Sequence, residues 1–276
     1  MLDFMEGFFV RRRADIFIKG MIVGGTMLVP GVSGGSMAMI LGIYDRLIRA
    51  VSSLGVRPVR NLLFLGNFAA GGLVGMILFA RPLLYLVEHF QRPALYFFIG
   101  AVLGGVPMIG QKANVKHFGW KEAAWIFLGA GLVLLLAVAE QKGFLLGMEH
   151  LTTGYLLLAG CIGAVALVLP GISVSYLFLM LGLYDIIIKA IRDIQFLILV
   201  PLGLGLLLGI ALTTKLLESA MQKRPDITYL VILGFVMGAV GTVFPGIPKG
   251  IEWLCCPALL AAGYIGVRWI TIKEEN

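Results

Sequence analysis

Charged residues are scarce in this chain. Only 13% of its 276 residues are Asp, Glu, Lys or Arg, whereas 59% are hydrophobic and the mean hydropathy is +0.97. Soluble domains carry about 25% charged residues, and a soluble core of this length could not bury so much apolar surface. A soluble fold is therefore excluded, and the composition predicts an all-α polytopic membrane protein.

Residues that carry enzyme chemistry are also few. The three histidines fall in loops, the three cysteines lie in or beside apolar segments without metal-site spacing, and no P-loop with its lysine is present. We therefore expect no metal, no cofactor and no catalytic residue, and ATP hydrolysis would need a partner subunit. The net charge of +7 fits cytoplasmic loops and anionic lipid headgroups better than nucleic acid.

Six apolar segments are long enough to cross a membrane, and two more are interrupted by Pro-Gly in the middle. The six are residues 61–80, 95–110, 122–139, 197–214, 228–244 and 254–270. The interrupted segments, 14–50 and 152–190, each read as two short helices that meet at the break. Because their first parts, 14–29 and 153–169, are short and glycine-rich, we predict re-entrant hairpins rather than full spans. The arginines ahead of the first segment favour a signal anchor over a cleavable signal.

An internal repeat relates the two halves of the chain. The same short motifs recur in the same order, with one constant spacing as far as Asp45, the early register, and a slightly shorter spacing from Arg81 onward, the late register. The matching pairs are Pro30–Ser33 with Pro170–Ser173, Leu41–Asp45 with Leu181–Asp185, Arg81 with Lys215, Gly100 with Gly234, and Gly104 with Gly238. We infer two homologous repeats within a single transmembrane domain over residues 1–276.

The repeats, 14–139 and 152–270, each hold one broken hairpin, 14–50 or 152–190, and three transmembrane helices. Since three crossings is an odd number, the second repeat must be inverted relative to the first, which is a transporter architecture. With both termini in the cytoplasm, sixteen of the 22 Lys and Arg residues lie inside, as the positive-inside rule expects. The six outside are Arg81, Arg92, Lys142, Lys189, Arg192 and Lys249.

The break at Pro30-Gly31 sets non-helical backbone in apolar surroundings, where protein or trapped water must satisfy it. A new helix is predicted to begin near Ser33–Ser36, and its first N–H groups have no intrahelical partner and a positive dipole end. Gly34 and Gly35 would let a ligand approach the backbone, and Ser33 and Ser36 add hydroxyls. The pattern predicts an anion site, phosphate above all; capping and helix packing are the alternative role.

The second copy of the break has no glycine pair, so the first copy is expected to contact ligand more closely. Its candidate residues are Pro170, Gly171, Ser173 and Ser175. Asp45 and Asp185, which end matching GIYD and GLYD runs, are candidates for proton or sodium coupling, with helix capping as the alternative. Arg46, Arg81, Lys189 and Lys215 are candidates for attracting phosphate, although Arg81 and Lys215 at span ends could equally snorkel to the interface.

Two motifs carry a family resemblance. Pro30–Ser36 (PGVSGGS) and Gly42–Asp45 (GIYD), together with the second PG-x-S copy, resemble the PopT-type undecaprenyl-phosphate translocase family over most of the chain. The resemblance implies a flippase that returns undecaprenyl phosphate from the outer to the inner leaflet of the bacterial cytoplasmic membrane for envelope glycan synthesis. The partners it implies are the polyprenyl-phosphate lipid and membrane lipids, and self-association stays open.

Two alternatives share the predicted architecture. Undecaprenyl-pyrophosphate phosphatases also have inverted repeats and a PG-x-S loop, but they expect an arginine between the serines and a Glu-x-x-x-Glu pair. This chain has Gly34 after Ser33 and no Glu-x-x-x-Glu, so we expect a transporter rather than an enzyme. A transporter of a small soluble anion is the second alternative.

Overall fold

The computed structural model describes residues 2–29, 32–115, 118–141, 152–250 and 252–275. These residues form twelve helices and contain no strand. The helices of the first half are α1 Leu2–Thr26, α2 Gly34–Ile40, α3 Tyr44–Ser52, α4 Pro58–His89, α5 Gln91–Lys112 and α6 Trp120–Gln141. Those of the second half are α7 Thr153–Val168, α8 Val174–Met180, α9 Tyr184–Arg192, α10 Phe196–Lys223, α11 Pro225–Val243 and α12 Glu252–Glu275.

Six helices in the described chain are long and apolar enough to cross a membrane, which confirms the predicted number and order of spans. They are α4, α5, α6, α10, α11 and α12. Two of them run well past the predicted ends, because α4 continues to His89 and α10 to Lys223. Arg81 and Lys215 therefore lie inside helices, and their expected place at span ends is wrong. A single charge does not stop a helix when helix-forming residues follow it.

Each interrupted segment contains three helices, so the expectation of two was wrong. A second stop follows α2 and α8, at Gly42 and Gly182, whose φ angles are +67° and +65°. Gly42 N–H donates to the Met39 carbonyl at 3.0 Å, and Ile43 N–H donates to the Ala38 carbonyl at 3.0 Å. This is the Schellman arrangement, in which a left-handed glycine ends the helix and satisfies its last carbonyls. The same two bonds recur around Gly182.

The chain divides into two compact units that interleave along the sequence. One unit contains residues 1–111 and 243–276, and the other contains residues 112–242. The last helix, α12, thus belongs with α1–α5, whereas α6 belongs with α7–α11. Each unit is built from helices of both sequence halves.

Within each unit, glycines let helix backbones approach closely. A side chain at Gly71 of α4 would overlap the carbonyl oxygen of Phe17 on α1, and one at Gly100 of α5 would overlap that of Leu260 on α12. In the other unit, the overlaps are Gly205 of α10 with Leu157 on α7 and Gly234 of α11 with Ile126 on α6. Small residues at such contacts are typical of membrane helix pairs.

These glycine contacts correspond pair by pair between the units. Gly71 and Gly205 match in the late register of the repeat, while their partners Phe17 and Leu157 match in the early register. For the α5–α12 and α6–α11 pairs, both the glycines and their partners match in the late register. The spacings are those at which the two halves of the sequence align.

Burial separates inner from outer helices. The most apolar window of α5 is 67% buried and that of α11 is 44% buried, whereas the windows of α4, α6, α10 and α12 are 11–22% buried. The four outer helices expose leucine, isoleucine and phenylalanine side chains along their length, which suits a surface facing lipid tails rather than water.

Candidate anion site

The first break is packed against α5. Val29, which precedes the break and is only 1% exposed, forms a buried cluster with Leu95 and Phe98, and Val32 packs on the same cluster. The chain around the break therefore contacts protein. Pro30 and Gly31, both predicted ligand-contacting residues, lie outside the described residues.

Ser33 is the N-cap residue of α2. Its backbone is extended, with φ −79° and ψ 132°, and its carbonyl accepts the first helical hydrogen bond from Met37 N–H at 3.1 Å. Its side chain makes no capping bond, so the hydroxyl does not satisfy the first N–H groups of α2, as an N-cap serine commonly does. The prediction that a helix begins near Ser33 is confirmed.

Gly34, Gly35 and Ser36 form the first turn of α2. A side chain at Gly34 would come within 2.8 Å of the Met27 sulfur, so this glycine gives room to a neighbouring residue. Ser36 is 3% exposed, and among the described residues its Oγ has no hydrogen-bond partner. Buried hydroxyls are normally satisfied, which marks Ser36 as the polar side chain of this turn that is available to a ligand.

The second break repeats the first with different packing. Pro170 is fully buried, and Gly171 has φ +82°, a left-handed conformation suited to glycine. A side chain at Gly171 would also overlap the carbonyl oxygen of Phe235 on α11. Ser173 is the N-cap of α8, and its side chain, like that of Ser33, makes no capping bond. The side chain of Ser175 lies outside the described residues.

Asp45 and Asp185 lie in the first turns of α3 and α9. The N-cap residues are Ile43 and Leu183, so neither aspartate is an N-cap. A carboxylate in a first turn interacts favourably with the helix dipole. Asp45 is half-buried and Asp185 is exposed.

Arg46 lines a cavity of about 450 Å³ between α3 and the start of α4, and its guanidinium carbon lies 4.2 Å from the centre of the Phe64 ring. The other cationic candidates, Arg81, Lys189 and Lys215, have exposed side chains. Arg192, which lies on α9 with Lys189, pairs with Asp193 at 2.8 Å, and this hydrogen bond raises the pKa of Arg192.

Three arginines of this cavity were not among the predicted site residues. Arg49, Arg57 and Arg60 line it together with Arg46. The signal in the sequence is the run of four arginines between Arg46 and Arg60. Sequence reasoning counted them only toward membrane orientation, because nothing in their spacing showed that α3 and α4 would bring them to one cavity.

The chain is similar to known membrane transporters over most of its length. Residues 23–254 match the family described as VCA0040-like, undecaprenyl phosphate translocase-like. A polyprenyl-phosphate transporter of Staphylococcus aureus is 30% identical over 262 residues, covering 90% of this chain and 92% of that protein. One of Vibrio cholerae is 27% identical over 245 residues, covering 83% of this chain and 77% of that protein.

No solved structure matches the chain. The family match spans far more than half of the sequence and includes both breaks. The chain therefore belongs to the undecaprenyl phosphate translocase-like family.

Proposed function

We propose that this protein is a flippase that returns undecaprenyl phosphate from the outer to the inner leaflet of the bacterial cytoplasmic membrane, where the lipid is reused for envelope glycan synthesis. The observation that carries the proposal is the family match over residues 23–254, together with curated relatives named as polyprenyl-phosphate transporters. The protein acts as a transporter and not as an enzyme. The polyprenyl tail stays in the lipid while the phosphate crosses through the protein.

Inverted repeats give this flippase its two-sided architecture. The glycine contacts that match between the two units, in the same registers as the sequence motifs, support a duplicated unit. Each half contributes three spanning helices and one re-entrant hairpin, so the halves have opposite orientations. Both termini are cytoplasmic, in keeping with the sixteen inside and six outside cationic residues.

Each repeat offers the phosphate hydrogen-bond donors at its break. In the first repeat these are Ser33, Gly34, Gly35 and Ser36, with support from the buried Ser36 hydroxyl that has no partner among the described residues. In the second repeat they are Ser173 and Ser175. An anion that crosses hydrocarbon must keep hydrogen bonds along its path, and these hydroxyls and first-turn N–H groups are donors for it.

The test removes both hydroxyls of the first break. Liposomes containing the purified protein and radiolabelled undecaprenyl phosphate are exposed to an impermeant phosphatase, which hydrolyses only lipid in the outer leaflet. Further hydrolysis reports flipping from the inner leaflet. A hydrogen bond to a charged group contributes about 1.5–3 kcal/mol, so Ser33→Ala with Ser36→Ala should slow flipping about tenfold or more.

Thr228→Ala is the matched control, because the Thr228 hydroxyl already donates to the Arg224 carbonyl at 2.8 Å. This variant should flip lipid at the wild-type rate. Flipping at the wild-type rate by the double serine variant would contradict the site. If wild-type protein flips no faster than protein-free liposomes, the function itself is wrong.

A proton or sodium gradient drives the cycle through Asp45 or Asp185. Acidic side chains inside transporters are common carriers of coupling ions. Imposing each gradient across the liposomes should accelerate wild-type flipping for one ion. Asp45→Asn or Asp185→Asn should abolish that acceleration, while flipping without a gradient stays measurable. Equal acceleration in both variants would contradict the assignment.

A further inference from the structure

The arginine cavity is a second anion site, separate in sequence from the serine breaks. It lies where the end of α3, the connecting residues and the first turns of α4 meet, and its volume of about 450 Å³ is within the roughly 300–1,000 Å³ range typical of small-molecule sites. Its lining residues are Arg46, Arg49, Ala50, Ser53, Val56, Arg57, Arg60, Asn61 and Phe64.

Hydrogen bonds and a ring contact orient the cavity walls. Arg49 Nε donates to the Asp45 carbonyl at 3.2 Å, and the Arg46 guanidinium lies over the Phe64 ring. Asn61 Nδ2 donates to the Ser53 carbonyl at 3.0 Å and to Ser53 Oγ at 3.1 Å, which ties the start of α4 to the end of α3. A site whose walls are already held loses less entropy when a ligand binds.

The charge of the cavity is strongly positive. Four guanidinium groups line it, and its lining, all of which the structure describes, includes no aspartate or glutamate. Even if Asp45 in the preceding turn is counted, three positive charges remain. Like charges around one cavity repel, and an anion that accepts bonds from several guanidinium groups relieves that repulsion.

The corresponding place in the other repeat lacks this charge. In the early register, Arg46, Arg49 and Ser53 correspond to Ile186, Lys189 and Asp193. Arg192, the nearby arginine on α9, is paired with Asp193. General membrane orientation would call for arginines anywhere in the loop, whereas here they converge on one cavity in one half of the chain.

We propose that this cavity binds a phosphomonoester dianion, with the phosphate held by Arg49, Arg57 and Arg60 and the first carbons of an attached chain lying against Val56 and Phe64. The identification of the ligand as a lipid phosphate rests on the proposed function, whereas the anion site itself does not. A phosphate released from the breaks on the cytoplasmic side would be received here.

The experiment measures binding by calorimetry to purified full-length protein in detergent, with farnesyl monophosphate as the probe. The variant is Arg57→Gln with Arg60→Gln, because both side chains are exposed and their loss should not prevent folding. We expect its affinity for farnesyl monophosphate to fall about tenfold or more. Arg192→Gln, on the helix that corresponds to α3, is the control and should bind as the wild type does.

Two further probes identify the source of the phosphate. Tighter binding of farnesyl monophosphate than of inorganic phosphate supports a lipid ligand, and equal binding supports a site for free phosphate. Both results need the arginines. Dioleoylphosphatidylglycerol, a phosphodiester, should compete weakly; competition equal to that of the monoester would overturn the proposal, because the cavity would then bind any anionic headgroup.

Wild-type affinity in the double arginine variant also overturns the proposal. This failure is distinct from failure of the proposed function. Lost binding in the arginine variant, with no flipping by the wild type, would keep the site and reject the flippase. Unchanged binding, with flipping that depends on Ser33 and Ser36, would do the opposite.

Discussion

Gly203 and Gly205 are close neighbours on α10 but have different surroundings. A side chain at Gly205 would overlap the Leu157 carbonyl oxygen, whereas one at Gly203 would meet nothing within 4 Å. The obstacle at Gly205 is backbone of another helix, which cannot move aside as a flexible side chain can. One glycine is therefore required by packing, and the other is not.

Gly205→Ala should lower the free energy of unfolding by about 1–3 kcal/mol, the usual effect of overpacking. Gly203→Ala should leave it unchanged or raise it by about 0.5–1 kcal/mol, because alanine has the better helix propensity. Thermal unfolding of the purified variants in one detergent distinguishes the two. Equal melting temperatures for both variants would show that α7 and α10 do not approach as closely as the structure has them.

Short helices in both interrupted segments are ended by the same backbone device. Gly42 and Gly182 provide the left-handed residue after α2 and α8, and Ile194 takes that position after α9, with φ +50°. Gln195 N–H donates to the Ala190 carbonyl at 2.8 Å, which completes the motif around Ile194. A β-branched residue in the left-handed region is strained by about 1–2 kcal/mol, so this element end is less stable than its two counterparts.

Ile194→Gly should therefore raise the free energy of unfolding by about 1 kcal/mol, since the Ile194 side chain is 63% exposed and its removal loses little packing. Gly182→Ala should lower it by a similar amount, because alanine is strained at φ +65°. Melting temperatures of the two variants should move in opposite directions. A lower melting temperature for Ile194→Gly would mean that lipid or protein contacts of this side chain outweigh the strain.

The sequence predicted these elements unevenly. Length and hydropathy were enough for the six spans, because a spanning helix needs only a long apolar run. The motif from Leu41 to Asp45 was recognised as repeated, but its role as a helix end was missed, since a glycine inside an apolar run also suits helix packing. The four arginines were visible, but the cavity was not, because it depends on how α3 and α4 meet.

The two compact units each combine helices from distant parts of the chain. The contacts of Gly100 with Leu260 join α5 to α12, and those of Gly234 with Ile126 join α11 to α6. Sequence comparison of the halves could align these glycines, but it could not show which helix each one faces, because partner choice is a long-range property. Neither sequence half therefore contains all the partners that its own helices need.

Chains cut between the halves test this arrangement. Fragments 1–146 and 147–276, when produced together, should assemble and co-purify through a tag on one of them. Each fragment alone lacks the partner of an inner helix, α5 or α11, and should be degraded or aggregate. Recovery of either fragment alone as a folded, monodisperse species would contradict the exchange of α6 and α12.

The exchange of α12 reverses the order in which the chain can finish folding during translation. Domains generally complete from the N-terminus as the ribosome delivers them. Here the unit of residues 112–242 is continuous in sequence, so all its helices are present once α11 has been inserted. The unit that contains α1–α5 must wait for α12, the last helix made. Damage to the C-terminus therefore harms the N-terminal part of this protein first.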